Sequence, residues 1–206
     1  MGGKSSKGGA FEREVSKRLD LWWLGHNDDT CFWRSTQSGG RATTRSSKGQ
    51  RTTGSYGDIA ATNPVGEPLI KAFTIECKRL NGKDNHMHDI VDCPSHLTRQ
   101  RPFEELLIQA SEQAKAARSI SWMLLYRRNG RLPLVTIPRD TFKILHGYRH
   151  TETSAPGFRA LPRPFVRLTI ELQMEPFDIV SMTFEDFLNN VSRQYVERLV
   201  AEHRQQ

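Results

Sequence analysis

The stretch GDIAATNPVGEPLIKAFTIECKRL, from Gly57 to Leu80, sets two acids and a lysine on what reads as two neighbouring strands. Asp58 opens it, and Glu76, Cys77 and Lys78 close it. Between them Asn63 to Pro68 is rich in turn formers, with Pro and Gly placed to reverse the chain. One strand is expected to start at Asp58 and the other to cover Ala72 to Lys78. Side chains alternate along a strand, so Phe73, Ile75 and Cys77 point one way and Thr74, Glu76 and Lys78 the other. A carboxylate and an ammonium then share one face, within reach of Asp58 on the adjacent strand. Two carboxylates beside a lysine suit a hard cation and an attacking water. Taken alone, Glu76 and Lys78 would equally form a surface ion pair worth about 0–1 kcal/mol.

The rest of the chain supplies the context. Its 206 residues, 36% hydrophobic and 9% aromatic, are enough for one soluble domain with a real core. No apolar run is long enough to span a bilayer. MGGKSSKGG at the start lacks the apolar centre of a secretory signal and reads as a basic tail over residues 1–9. Cys31, Cys77 and Cys93 make no even framework, which fits a reducing, cytoplasmic setting. The formal net charge of +7 is uneven. Between Arg34 and Gly57 the chain carries Arg34, Arg41, Arg45, Lys48 and Arg51 and no acid. A Gly/Ser/Thr-rich loop of that charge suits phosphates, although it would also serve as a solvated loop; its place just before Asp58 favours nucleic acid.

Phe11, Val15, Leu19 and Trp22 recur at helical spacing, widened by Trp23 and Leu24, and predict a helix from Ala10 to Leu24 stopped by Gly25. Glu12 would lie in its first turn, where an acid complements the helix dipole. Thr30 to Arg34 has strand character. Residues 81–102 lack a period and contain His86, His88, Cys93 and His96, which are ligand types for zinc at unusual spacing; a polar loop is the plainer reading. Pro102 opens a second helix, to Arg118, with Leu106, Ala110, Gln113, Ala114 and Ala117 on one face and Gln109 at its edge. These two glutamines would either bond buried backbone or reach into a site. Ser121 to Arg127 and Leu132 to Ile137 are strands joined at Asn129-Gly130, the second placed at an edge by Pro133. Beyond Pro138, Val166 to Leu172 alternates as a strand, and Thr183 with Asp186 caps a final helix carrying Phe184, Phe187, Leu188, Val191, Tyr195 and Leu199.

Taken in order, these segments are a helix with Glu12, a strand, a basic loop, a strand from Asp58, a strand with Glu76 and Lys78, a helix with glutamines, and a strand. That order resembles the PD-(D/E)xK nuclease superfamily, and within it the archaeal-type Holliday-junction resolvases and their phage relatives. KGGAFEREVSKRL is similar to their first helix, RSTQSGG to their arginine-and-serine segment, GDIAA to the Asp strand, IECK to the Glu-x-Lys strand and QASEQAK to the following helix. The likeness covers Lys7 to Ile137. Gly57 departs from it, standing where a proline commonly precedes the acid. The loop from Gly39 to Gly57 is also longer than the pattern.

The resemblance implies an α/β, restriction-endonuclease-like fold: a central mixed sheet flanked by helices in the order αβββαβ. It would occupy residues 10–137, with 138–206 an α+β extension packed on the core or at a dimer interface. It further implies Mg2+ (Mn2+ substituting) held by Asp58, Glu76 and the Cys77 carbonyl, with Glu12 acting directly or through water. Lys78 would orient water or stabilise the transition state, Gln109 or Gln113 would place the nucleophile, and Ser38 with Arg34 would hold the DNA backbone. The partner would be DNA, branched or not, cut by a homodimer with a role in recombination or repair. Other readings are a general, nicking or restriction-like endonuclease of the same fold, a DNA-binding protein without catalysis, and a zinc module built on His86 to His96.

Overall fold

The computed structural model describes residues 7–26, 30–35, 56–80, 102–152, 166–171 and 176–205. Helix α1, Lys7–Leu24, starts three residues earlier than the periodicity predicts. It buries Phe11, Val15, Leu19 and Trp23, a stripe of every fourth residue. Gly25 ends it with φ +76° and returns its N–H to the Leu21 carbonyl at 2.9 Å, a left-handed cap that suits glycine. Buried Asp20 then accepts the N–H groups of Cys31 and Phe32 at 3.0 and 2.9 Å and fixes where strand β1, Phe32–Arg34, begins.

Strand β2, Ile59–Ala61, pairs antiparallel with β1 in a two-stranded ribbon. The turn-rich segment after it does more than reverse the chain. Pro64–Gly66 forms a 3-10 turn capped by Asn63, and Glu67–Ala72 forms a short helix, α2. Pro68 is tolerated because the first turn of a helix has no internal partner for its missing N–H. Strand β3, Phe73–Leu80, follows at once.

Helix α3, Pro102–Ala117, opens on its proline with Glu104 and Glu105 in the first turn. Its buried stripe is Phe103, Leu107, Ala110 and Ala114, one register away from the predicted Leu106, so that Gln109 and Gln113 lie beside the apolar face. Strands β4, Ser121–Arg128, and β5, Leu134–Pro138, meet as an antiparallel pair, with Gly130 at φ +68° in the turn. Then come α4, Arg139–Glu152, β6, Val166–Glu171, β7, Pro176–Thr183, α5, Phe184–Asn190, and α6, Arg193–His203. The expected single C-terminal helix is therefore two. Val191 is extended, and Ser192 restarts the chain by accepting the Tyr195 N–H at 3.3 Å.

The main sheet runs in the order β3-β4-β5-β7-β6, parallel between β3 and β4 and antiparallel elsewhere, so a mixed sheet is flanked by helices. Strand β5 lies inside this sheet and not at an edge. Pro133 precedes the paired residues, so no ladder donor is lost, and its carbonyl accepts the Phe184 N–H at 2.9 Å. One apolar cluster joins Phe11, Leu19, Leu69, Phe73 and Ile75 to Phe184, Phe187, Val196 and Leu199. A second, under α3, joins Phe103 and Leu107 to Trp122, Leu124 and Tyr126. No helix among the described residues is long and apolar enough to cross a membrane.

Candidate active site

On β3 the alternation holds as predicted. Phe73, Ile75 and Cys77 belong to the larger cluster, which leaves Glu76 and Lys78 on the face toward α3. Glu76 is 1% exposed, and its Oε2 meets Lys78 Nζ at 2.8 Å and Gln109 Nε2 at 3.3 Å. Burial, then the charge of Asp58, raises the Glu76 carboxyl above its ordinary range; Lys78 opposes this and Glu12 adds to it. Burial alone would lower the Lys78 ammonium, but its bond to Glu76 and the charges of Glu76 and Asp58 carry it upward, so it stays protonated.

Asp58 is held by three bonds. Its N–H donates to the Ile75 carbonyl at 2.7 Å, its carbonyl accepts the Ser35 N–H at 2.8 Å, and its Oδ2 accepts the Cys77 N–H at 2.8 Å. The residue before it cannot be a proline here. Gly57 has φ +76°, and a Cβ on it would lie 2.8 Å from the Ile75 carbonyl oxygen. Its N–H donates to Gln113 Oε1 at 2.8 Å, a bond that proline cannot make. The departure from the proline of the resembling family thus has a local cause. The two glutamines also separate: Gln113 holds the backbone beside Asp58, and Gln109 touches the Glu76 carboxylate.

The N–H and C=O of one strand residue point to the same side, so the Cys77 carbonyl follows its N–H toward Asp58. The Cys77 thiol faces the core instead. Burial, then Asp58, raises it well above its ordinary value, which keeps it protonated and out of any ligand set.

Glu12 is 8% exposed and paired with the Arg34 guanidinium, so it is neither in the first turn nor on the surface. A Cβ at Gly9 would lie 3.0 Å from Arg34 Nη1, so that glycine leaves room for the pair. Arg34 thus sits on an acid of the site. Among the described residues no group of three His, Cys, Asp or Glu side chains is gathered for a metal. The donor set beside Lys78 is two carboxylates, Asp58 and Glu76, with the Cys77 carbonyl. These are hard oxygen ligands that fit Mg2+, an ion that retains waters and takes one or two carboxylates.

Ser38, Arg41, Arg45, Lys48 and Arg51, like His86, His88, Cys93 and His96, lie outside the described residues. Ser35 was not singled out from the sequence; its bond to the Asp58 carbonyl joins residues far apart in the chain and leaves no local signal.

Residues 3–198 match the model of a protein family described as "Phage putative PDDEXK endonuclease". No curated protein and no solved structure matches the chain.

Proposed function

The chain belongs to this family of phage PDDEXK endonucleases, and on that premise we propose that it is a Mg2+-dependent DNA endonuclease selective for branched DNA, in the manner of a Holliday-junction resolvase. The observation that carries the catalytic part is the meeting of Asp58, Glu76 and Lys78. The Asp58 carboxylate accepts the Cys77 N–H, next in sequence to Glu76, and its charge raises the Glu76 carboxyl, while a lysine kept protonated lies 2.8 Å from Glu76.

Asp58 and Glu76 would hold Mg2+ with the Cys77 carbonyl, Mn2+ would substitute on the same oxygen donors, and the ion would supply Lewis-acid polarisation of the scissile phosphate. Lys78 faces the reacting phosphate and donates to its non-bridging oxygens as negative charge grows in the transition state. Gln109, bonded to Glu76, directs its amide at the attacking water. Water adds to phosphorus, the P–O3′ bond breaks, and the products carry a 5′-phosphate and a 3′-hydroxyl. Glu12 shapes the local charge and is tethered by Arg34, which on this reading turns to the DNA backbone when substrate arrives. Ser38, Arg41, Arg45, Lys48 and Arg51 would complete the backbone contacts. Symmetric cutting of a junction calls for a two-fold dimer.

The test is a panel of end-labelled four-way junction, flap, duplex and single strand, each with Mg2+ and with EDTA, alongside the mass in solution. Paired symmetric cuts in the junction by a dimer, absent in EDTA, are expected. Equal cutting of plain duplex would replace the resolvase reading with a general endonuclease. No cutting of any substrate would contradict the enzyme.

A further inference from the structure

A concentration of arginines adjoins the site on the side away from Asp58. Strands β3 and β4 run parallel with Lys78 opposite Tyr126, Arg79 opposite Arg127 and Leu80 opposite Arg128. The chain then turns through Asn129 and Gly130, with the Arg131 N–H returning to the Arg128 carbonyl at 3.1 Å. Arg79, Arg127, Arg128 and Arg131 therefore gather at one end of the sheet. Arg79 and Arg127 lie on one face, Lys78 and Arg128 on the other, and the turn spans the gap.

The Arg79 and Arg127 side chains are held in place, one by a neutral amide and the other in part by an acid. Glu14 bonds Arg127 Nη1 at 2.5 Å. Arg79 is steadied by the neutral amide oxygen of Asn129 at 3.2 and 3.3 Å, and Arg127 Nε donates to the Arg131 carbonyl at 3.2 Å. Arg131 is exposed. A strand advances about 3.3 Å per residue and its neighbour lies about 4.8 Å away. The cluster thus begins one residue beyond Lys78, within a few nucleotide steps of the cleavage centre at about 3.4 Å per step.

We propose that this end of the sheet is a second phosphate-binding surface, which grips the DNA backbone flanking the scissile bond through Arg79, Arg128 and Arg131. It rests on the reading of the Asp58–Glu76–Lys78 site as a phosphodiesterase. The arginine fork suits phosphate oxygens, and Asn129 presets one of the forks. Such contacts fix where the duplex lies and carry no sequence information, so the surface sets register on any DNA the enzyme cuts.

The test is fluorescence anisotropy of a labelled duplex with the full chain in EDTA across a KCl series. The triple variant Arg79→Ala, Arg128→Ala, Arg131→Ala is compared with Lys143→Ala, Arg198→Ala, Arg204→Ala, which removes the same charge from α4, from α6 and from the residue that follows it. The first triple should lower the slope of log affinity against log salt by about 2–3, near 0.9 for each lost phosphate contact, and the second should leave it within about 0.5 of wild type. A lysine triple at the same three positions should restore most of the slope, which separates charge from misfolding. An unchanged slope in the first triple, or an equal fall in both, overturns the proposal. Mg2+-dependent cleavage by the wild type is run in parallel. Cleavage with an unmoved slope removes this surface alone, whereas loss of cleavage by the wild type removes the enzymatic reading and leaves the slope to decide the surface.

Discussion

Around Asp58 and Glu76 the polar groups are bonded across segments distant in the chain, whereas several charged pairs on α4 and α6 are exposed and bonded within one helical turn. Gly57 reaches Gln113, Asp58 reaches Ser35 and Cys77, and Glu12 reaches Arg34. Lys143–Asp140, Arg193–Glu197 and Arg198–Glu202 are ordinary surface pairs three or four residues apart. The buried polar groups of the C-terminal strands are neutral hydroxyl pairs, such as Thr136 with Ser181 at 2.6 Å. A charge held in the interior costs desolvation that a nearby lysine only partly offsets. The half of the molecule that keeps Glu76 buried does so against stability, and the half that carries Phe184, Phe187 and Leu199 provides the apolar packing.

Substitutions should split along this line. The largest effect on folding is expected from Phe187→Ala, which removes a fully buried ring and should cost about 3–5 kcal/mol in urea or thermal unfolding, with cleavage per folded molecule unchanged. Glu76→Ala and Lys78→Ala should do the reverse. Each lowers Mg2+-dependent cleavage by about a hundredfold or more, as expected for groups that act on transition-state charge, and Glu76→Ala should not lower the melting temperature of the metal-free protein. If Phe187→Ala instead abolished turnover in molecules that remain folded, the two halves would not be separable.

Gln113→Ala sharpens the contrast inside the site. It removes one hydrogen bond to the backbone beside Asp58, worth about 1 kcal/mol. The Mg2+ concentration for half-maximal cleavage should rise roughly fivefold, whereas Gln109→Ala should act on the maximal rate. Equal and opposite behaviour of the two glutamines would reverse their roles.

The acids of the two regions also titrate in opposite senses. The Glu76 carboxyl is raised, chiefly by burial, so the stability tied to its protonation is present below the ordinary carboxylate range and is lost as pH rises through its raised value. Glu202 is lowered by the Tyr148 hydroxyl and by Arg198, so its contribution is present above the ordinary range and is lost as pH falls through the lowered value. Melting of wild type in EDTA against pH, compared with Glu76→Gln and with Glu202→Gln, should show two differences of opposite slope. Parallel curves for both variants would contradict this. The smallest effect is expected from Lys143→Ala, which breaks an exposed pair and should change stability by less than about 0.5 kcal/mol.

Much of the fold around the proposed site was legible because its parts are carried by local patterns. The alternation of Phe73 to Lys78 sorted the core side chains from the opposite face, and the strand expected to start at Asp58 starts one residue later, at Ile59. Asn129-Gly130, Gly25 and the Thr183 cap, which accepts the Asp186 N–H at 3.0 Å, were equally local signals. What was missed depends on tertiary partners. From its spacing alone Glu12 read as a dipole-complementing acid, and only the resemblance put it at the site; its pairing with Arg34 was missed because that guanidinium lies 22 positions later in the chain. Proline and glycine around residues 64–68 suggested a plain turn, yet they open two short helical turns because a first turn needs no internal donor. Helix α4 and strand β7 were not read at all, and β7 takes its place between β5 and β6 through pairing.

The central claim is that Asp58 and Glu76 hold the cation at which a DNA phosphodiester is cut. Its most direct test is the rate of Mg2+-dependent cleavage of a labelled four-way junction and its matching duplex by wild type, Asp58→Ala and Glu76→Ala, with EDTA as the blank. Cleavage by wild type that falls about a hundredfold or more in both variants, and to background in EDTA, is the predicted result. Wild-type rates in Glu76→Ala, or cleavage that persists in EDTA, would contradict it.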